Sequence, residues 1–160
     1  MLLHLLRHAH AGDPDAWDGP DAARPLSEKG RDQIERLGTF LAGIRFQTDA
    51  LITSPKLRAA QTAELVAAHL GVEVEVDDRL GGPLDLDGLK AVLADAQEPE
   101  RPVVVGHDPD FSELLALLCD APNVPMRKGA LARIEADRPL HLGGGTLRWL
   151  MPPDALRPER

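Results

Sequence analysis

The five residues PVVVG at 102–106 constrain the fold more than any other stretch of this chain. Consecutive valines leave no polar face, so a strand there must be covered on both sides. Two-sided burial goes with a mostly parallel sheet that has helices packed above and below it. Other short runs supply the neighbours: LLHLL at 2–6 reads as a buried strand and DALIT at 49–53 as another. VEVEV at 72–76 alternates, while 130–136 (ALARIEA) and 146–151 (TLRWLM) read as two closing strands around a GGG turn.

Helices are expected between these strands. Ser27 is a good N-cap for a helix carrying Ile34, Leu37, Leu41 and Ile44 on one face. Ser54-Pro55 reads as a cap followed by proline at the first helical position, and Gly71 as the stop of that helix. A weaker helix is expected at 89–96, and Asp110 is the expected cap of FSELLALLC. Residues 12–26, rich in Gly, Pro and Asp, read as a loop whose acidic part, 13–21, is either solvated or flanks the site and discourages highly anionic substrates, and 152–160 read as a fraying tail. Strands alternating with helices give an α/β sandwich. With 160 residues, no internal repeat and no dividing linker, one domain over 1–160 is expected.

Ligand sites in such sheets lie beyond the C-terminal ends of the strands. Arg7-His8 ends the first strand, Ser54 the second, and His107 the strand PVVVG. Polar residues distant in sequence therefore meet at one sheet edge. Arg58 joins them from the first turns of the following helix, whose N-terminus is itself favourable to anions. Two guanidiniums and two imidazoles suit a phosphoryl group: arginines grip its oxygens, and an imidazole nitrogen can attack phosphorus. The attacking ring needs a fixed partner for its other nitrogen, and a backbone carbonyl is the expected one.

Charge sharpens the expectation. The net charge is −8, so the chain as a whole repels nucleic acid and anionic membranes, and any bound anion must meet a local positive pocket. Aromatic residues are only 3% of the chain, leaving little on which to stack bases. No apolar run approaches the ~20 residues of a membrane span, and the first residues lack the pattern of a secretory signal. The single cysteine, Cys119, fits a reducing compartment, so a cytoplasmic protein is expected.

Three motifs then resemble a known family. LLRHAHAG resembles the RHG signature of the histidine phosphatase superfamily, with Ala9 in place of glycine; TSPKLRAAQTAE resembles its second block, and VVVGHDP the block of its second histidine. The order and spacing hold across residues 1 to about 120. The short length and RPLSEKG resemble the small SixA-type phosphohistidine phosphatases. The resemblance implies a phosphoglycerate-mutase-like fold: a three-layer α/β/α sandwich around a mostly parallel, mixed sheet of about six strands. It implies a phosphohydrolase with His8 as nucleophile and Arg7, Arg58 and His107 completing the phosphate pocket, on a phosphorylated protein or a small phosphorylated substrate. No cofactor is implied.

The larger members' acidic proton donor has no clear counterpart here. Asp108 is the candidate general acid, although HDP also resembles a turn sequence of small members, and His10 is a candidate for the pocket rim. His4, His8 and His10 share strand parity, the pattern of a metal site, but no cysteine or carboxylate sits at ligand spacing and Arg7 opposes a cation, so no metal is expected. Ser54 reads as a cap, Cys119 as buried, and His69 and His141 as surface residues. A non-catalytic phosphate-binding module on the same fold is the contrasting expectation; it lacks a covalent intermediate.

Overall fold

A computed structural model describes residues 1–159. Six strands form one mixed sheet: β1 (Leu2–Arg7), β2 (Ala50–Thr53), β3 (Glu75–Val76), β4 (Pro102–Gly106), β5 (Leu131–Ala136) and β6 (Gly145–Met151), in the order β3-β2-β4-β1-β5-β6. The pairs β3/β2, β2/β4 and β4/β1 are parallel, whereas β1/β5 and β5/β6 are antiparallel. All five residues of β4 are buried, as two-sided covering requires.

The strands send alternate side chains to two cores. On one side Leu6, Val103, Val105 and Leu131 pack with α1 (Glu28–Gly43) and α2 (Leu57–Leu70). On the other, Leu3, Leu5, Val104, Ala132 and Ile134 pack with α3 (Leu86–Asp95) and α4 (Asp110–Cys119). The result is the expected three-layer sandwich.

Local chemistry sets the helix ends. The Ser27 hydroxyl accepts from the Gly30 amide (3.1 Å) at the start of α1. Gly71, left-handed at φ 67°, closes α2 with its amide on Ala67 O (2.8 Å). Several boundaries differ from expectation. Ile44 lies beyond α1 and is half exposed; after a left-handed Arg45, Phe46 takes the buried place instead. VEVEV pairs only at Glu75 and Val76, since β2 offers only Ile52 and Thr53 to this edge. Helix α3 starts earlier, at Leu86, because the Asp85 carboxylate accepts from Gly88 N (2.8 Å). Ser54 is not the cap of α2, which begins at Leu57; its hydroxyl accepts from Lys56 N in the turn before the helix. Asp110 does not cap α4 either. Asp108 accepts from Ser112 N (3.0 Å), while Asp110 reaches across to Leu84 N (3.0 Å). Within the expected tail, Pro153–Leu156 forms a 3-10 turn with Pro153 buried.

Candidate active site

The parallel half of the sheet brings the three motifs together. His8 N donates to Gly106 O (3.0 Å) and Ser54 N to Val105 O (3.0 Å), so both continue the ladder on the last residues of β4. His107 follows that strand directly. The His8 and His107 ring centres stand 5.2 Å apart, tilted by 53°. The reversal before β5 is tied to the same corner: Gly129, at φ 79°, donates to the carbonyls of both Arg7 and His8.

His8 Nδ1 lies 2.8 Å from Ala9 O. A carbonyl only accepts, so Nδ1 carries the proton and Nε2 keeps its lone pair. The ring is 6% exposed, and burial is the main force lowering its pKa to about 3. The Ala9 carbonyl acts in the opposite direction, while His107, Arg58 and Arg7 lower the pKa further by charge. His8 is therefore neutral at physiological pH, with one nitrogen fixed and the other free. Its partner is the backbone carbonyl that the sequence argument called for.

His107 Nε2 sits 2.7 Å from the Ser54 hydroxyl, while its Nδ1 is buried without a partner. Burial leads in lowering its pKa to about 4; Arg58, Lys56 and Arg7 add to this and Asp21 opposes it. Arg7 donates through Nη1 to Met126 O (2.8 Å), and the same nitrogen is 3.4 Å from Asp108 Oδ2. Arg58, on the first turn of α2, is 6% exposed and donates to Asp21 O (2.9 Å) and Asp21 Oδ2 (3.0 Å). The Nε groups of Arg7 and Arg58 are buried with no partner in the protein. Unspent buried donors beside a neutral imidazole are what an incoming oxyanion would satisfy.

Asp108 is committed on both oxygens. Oδ1 accepts from Ser112 N and Oδ2 from Ser112 Oγ (2.7 Å), whose oxygen in turn accepts from Met126 N (2.9 Å). This small network holds Arg7's environment and the start of α4 together. His10 points its Nδ1 to Ser27 Oγ (2.6 Å) at the start of α1 and is only partly buried. His4 turns into the sheet core, with Nδ1 on Pro102 O (3.0 Å) and Nε2 accepting from Arg133 Nε (2.9 Å). The three histidines of like parity thus have separate partners. His69 packs between helices on Glu35 (2.7 Å), His141 is exposed, and Cys119 is partly buried at the end of α4.

The sequence argument gave no role to Arg24 and Thr62, and placed Asp21 only within an acidic loop read as solvated or as a flank of the site. Thr62 Oγ1 donates to Arg58 O (2.7 Å) and accepts from Ala9 N (3.2 Å), which joins α2 to the backbone beside His8. Arg24 is 7% exposed and spans Ala11 O (2.9 Å) and Asp21 Oδ1 (3.3 Å). The only local signal was an arginine within RPLSEKG, next to a loop whose composition suggests solvent.

A model of the histidine phosphatase superfamily (branch 1) matches residues 3–112, more than half of the chain. The chain belongs to the histidine phosphatase superfamily. It is 31% identical over 163 residues to the phosphohistidine phosphatase SixA of Escherichia coli strain K12, covering 98% of this chain and 97% of that protein. An uncharacterized protein of Picosynechococcus sp. is 33% identical over 168 residues, covering 95% of this chain and all of that one. The structure of the protein histidine phosphatase SixA complexed with tungstate superimposes with a TM-score of 0.83 at 29% identity, covering 98% of this chain and 100% of that one. Membership makes this chain a SixA-like phosphohydrolase on the phosphoglycerate-mutase-like fold. Among the described residues, no helix is long and apolar enough to cross a membrane.

Proposed function

We propose that this protein is a phosphohistidine phosphatase of the SixA type that works without a metal, through a phosphorylated His8, in the cytoplasm. One observation carries the reading: a buried imidazole held by Ala9 O through Nδ1 and kept neutral, with a second imidazole 5.2 Å away between ring centres and two arginines near enough for their charge to act on it. His8 Nε2 attacks phosphorus as the bond from phosphorus to the substrate nitrogen breaks. The leaving imidazole takes a proton from water. Arg7, Arg58 and His107 hold the phosphoryl oxygens while charge shifts among them. Water then attacks the phospho-enzyme, inorganic phosphate leaves, and His8 Nε2 regains its lone pair.

Asp108 serves in this reading to hold Arg7 and the start of α4, since both of its oxygens already accept hydrogen bonds. A phosphoramidate needs less acid help than a phosphate ester, because its leaving nitrogen protonates readily. His10 supports the backbone at the rim. A phosphorylated protein is the substrate class to which the SixA name of its relative points.

Rapid-quench labelling with 32P-phosphohistidine protein tests this, with an aryl phosphate run in parallel. Wild type is expected to carry acid-labile, base-stable label and release phosphate, while His8→Ala does neither. Label or turnover in His8→Ala would remove His8 as nucleophile. Faster turnover of the aryl phosphate would move the substrate class to small phosphomonoesters. Phosphate binding with no label in wild type would leave a binding module.

A further inference from the structure

The 3-10 turn Asp21–Ala23 places one loop carboxylate across two buried guanidiniums. Asp21 Oδ2 accepts from Arg58 Nη2 (3.0 Å), Oδ1 from Arg24 Nη2 (3.3 Å), and the Asp21 carbonyl from Arg58 Nη1 (2.9 Å). Both terminal nitrogens of the phosphate-pocket arginine are thus engaged by a single loop residue. The arginine side chains are 7% and 8% exposed, whereas that of Asp21 is 56% exposed. Arg24 is held from behind by Ala11 O and Gly12 O, so the solvent-facing partner in this triad is the aspartate. The Nε groups of both arginines are buried and unpartnered. Asp21 is also close enough to His107 for its charge to act on that ring, against Arg58, Lys56 and Arg7.

We propose that Asp21 is a specificity-determining residue: an internal carboxylate that offsets Arg58 and Arg24 and so weakens the pocket's hold on free phosphate. The proposal rests on the reading of Arg58 as a phosphate ligand. Its physical basis is a like-charge penalty. A phosphate dianion brought to Arg58 meets a negative charge already held on the same guanidinium; the arginine is buried, while the half-exposed carboxylate is screened in part by solvent. The cost falls on any bound phosphate, including the product. Inorganic phosphate, which carries no other group to bind, has nothing to offset that cost, whereas a phosphorylated protein gains contacts from the surface around its phosphoryl group. The carboxylate thus favours product release and selects substrates by what surrounds the phosphoryl group. The acidic loop, which composition marks as solvated or as a flank of the site, acts on the site through this one residue.

Calorimetric titration with orthophosphate tests the proposal without depending on turnover. Asp21→Asn keeps the side chain's size and a carbonyl acceptor but removes its charge, and Asp21→Ala removes both. Phosphate is expected to bind Asp21→Asn about tenfold more tightly than wild type, equivalent to roughly 1.4 kcal/mol. Asp18→Asn makes the same charge change in an exposed part of the same loop and is expected to change affinity less than about twofold, the limit for a screened surface charge. Unchanged or weaker binding in both Asp21 variants, with normal melting curves, would overturn the proposal, and weaker binding would make the carboxylate an orienting partner of Arg58. An equal gain in Asp18→Asn would overturn it as a general loop-charge effect. Arg58→Met separates the two readings: lost phosphate binding with no gain in Asp21→Asn sinks only the role of Asp21, whereas phosphate binding that ignores Arg58→Met sinks both.

Discussion

At the scale of single residues, the site depends on which atom each polar group has left unspent. His8 has a committed Nδ1 and a free Nε2; His107 has Nε2 on Ser54 and a buried, unpartnered Nδ1. Ser54 therefore fixes the orientation of the second imidazole, in addition to holding the turn before α2 through Lys56 N. Ser54→Ala is expected to lower kcat by roughly tenfold, the loss of one hydrogen bond of ~1.4 kcal/mol to a group that carries charge in the transition state. KM is expected to change less, and Ser54→Thr to restore most of the rate. Steady-state kinetics on the three proteins decides it; equal kcat in all of them would reduce Ser54 to a turn residue. The positions of His8, Arg7, Arg58 and His107 were legible because each lies just past a buried strand or in the next helical turn, where chain order alone dictates position; their roles came from the resemblance of the three motifs. The positions of Asp21 and Arg24 were not legible, because their contacts depend on how a Gly- and Pro-rich loop returns to the sheet, and local composition holds no record of that path.

At the scale of elements, the same distinction explains where helix starts were read well and where they were not. Ser27 was legible because its hydroxyl accepts from Gly30 N in the first turn of the helix while also meeting His10 Nδ1. Ser54 has the same cap-like sequence, but α2 starts only at Leu57, so its hydroxyl serves the turn at Lys56 N and the ring of His107 instead. Asp110, the expected cap of α4, is drawn off by Leu84 N from a distant loop, and Asp108 accepts from Ser112 N at the helix start in its place. Helix α1 shows how tightly an element can be fitted to the site: a Cβ on Gly30 would lie 2.0 Å from the His10 carbonyl oxygen. That contact lets the helix start press on the backbone two residues beyond His8. Gly30→Ala is expected to destabilise the fold by about 1–3 kcal/mol, the range for forced overpacking, and to slow phospho-enzyme formation by displacing this segment. Gly43, in the last turn of the same helix, has open space around its missing Cβ. Gly43→Ala is expected to be neutral or stabilising by up to ~1 kcal/mol. Denaturant titration of the two variants makes the comparison, and equal midpoints would mean that α1 can shift to admit a methyl group at Gly30.

At the scale of the whole molecule, β1 is the seam between two kinds of sheet, parallel to β4 on one side and antiparallel to β5 on the other. His4 stands at that seam and holds both sides. Its Nδ1 donates to Pro102 O on β4, and its Nε2 accepts from Arg133 on β5, whose guanidinium carbon lies 5.4 Å from the Phe46 ring centre and 4.8 Å from that of Trp149. This geometry tolerates only a neutral imidazole, because a protonated Nε2 would face the arginine as a second donor. Burial accordingly leads in lowering the His4 pKa from 6.5 to about 4, with Arg133 and Arg101 adding to it against the Pro102 bond. The sign follows from proton counting. Between pH 4 and 6.5 the unfolded chain binds a proton at His4 that the native chain refuses, so stability is full above pH 6.5 and falls as pH drops toward 4. The His4 share of that loss is roughly 3 kcal/mol. His8 and His107, lowered to about 3 and about 4, add losses of the same sign. Subtracting a variant isolates the seam. His4→Leu removes the titrating group and leaves Arg133 without its acceptor, so it is expected to be less stable than wild type at pH 7. That gap is expected to shrink by roughly 3 kcal/mol by pH 4, since His8 and His107 titrate alike in both proteins and cancel. Urea titrations of the two proteins at both pH values measure the gap, and a gap independent of pH would mean that His4 does not titrate as a buried neutral base at the join of the two half-sheets.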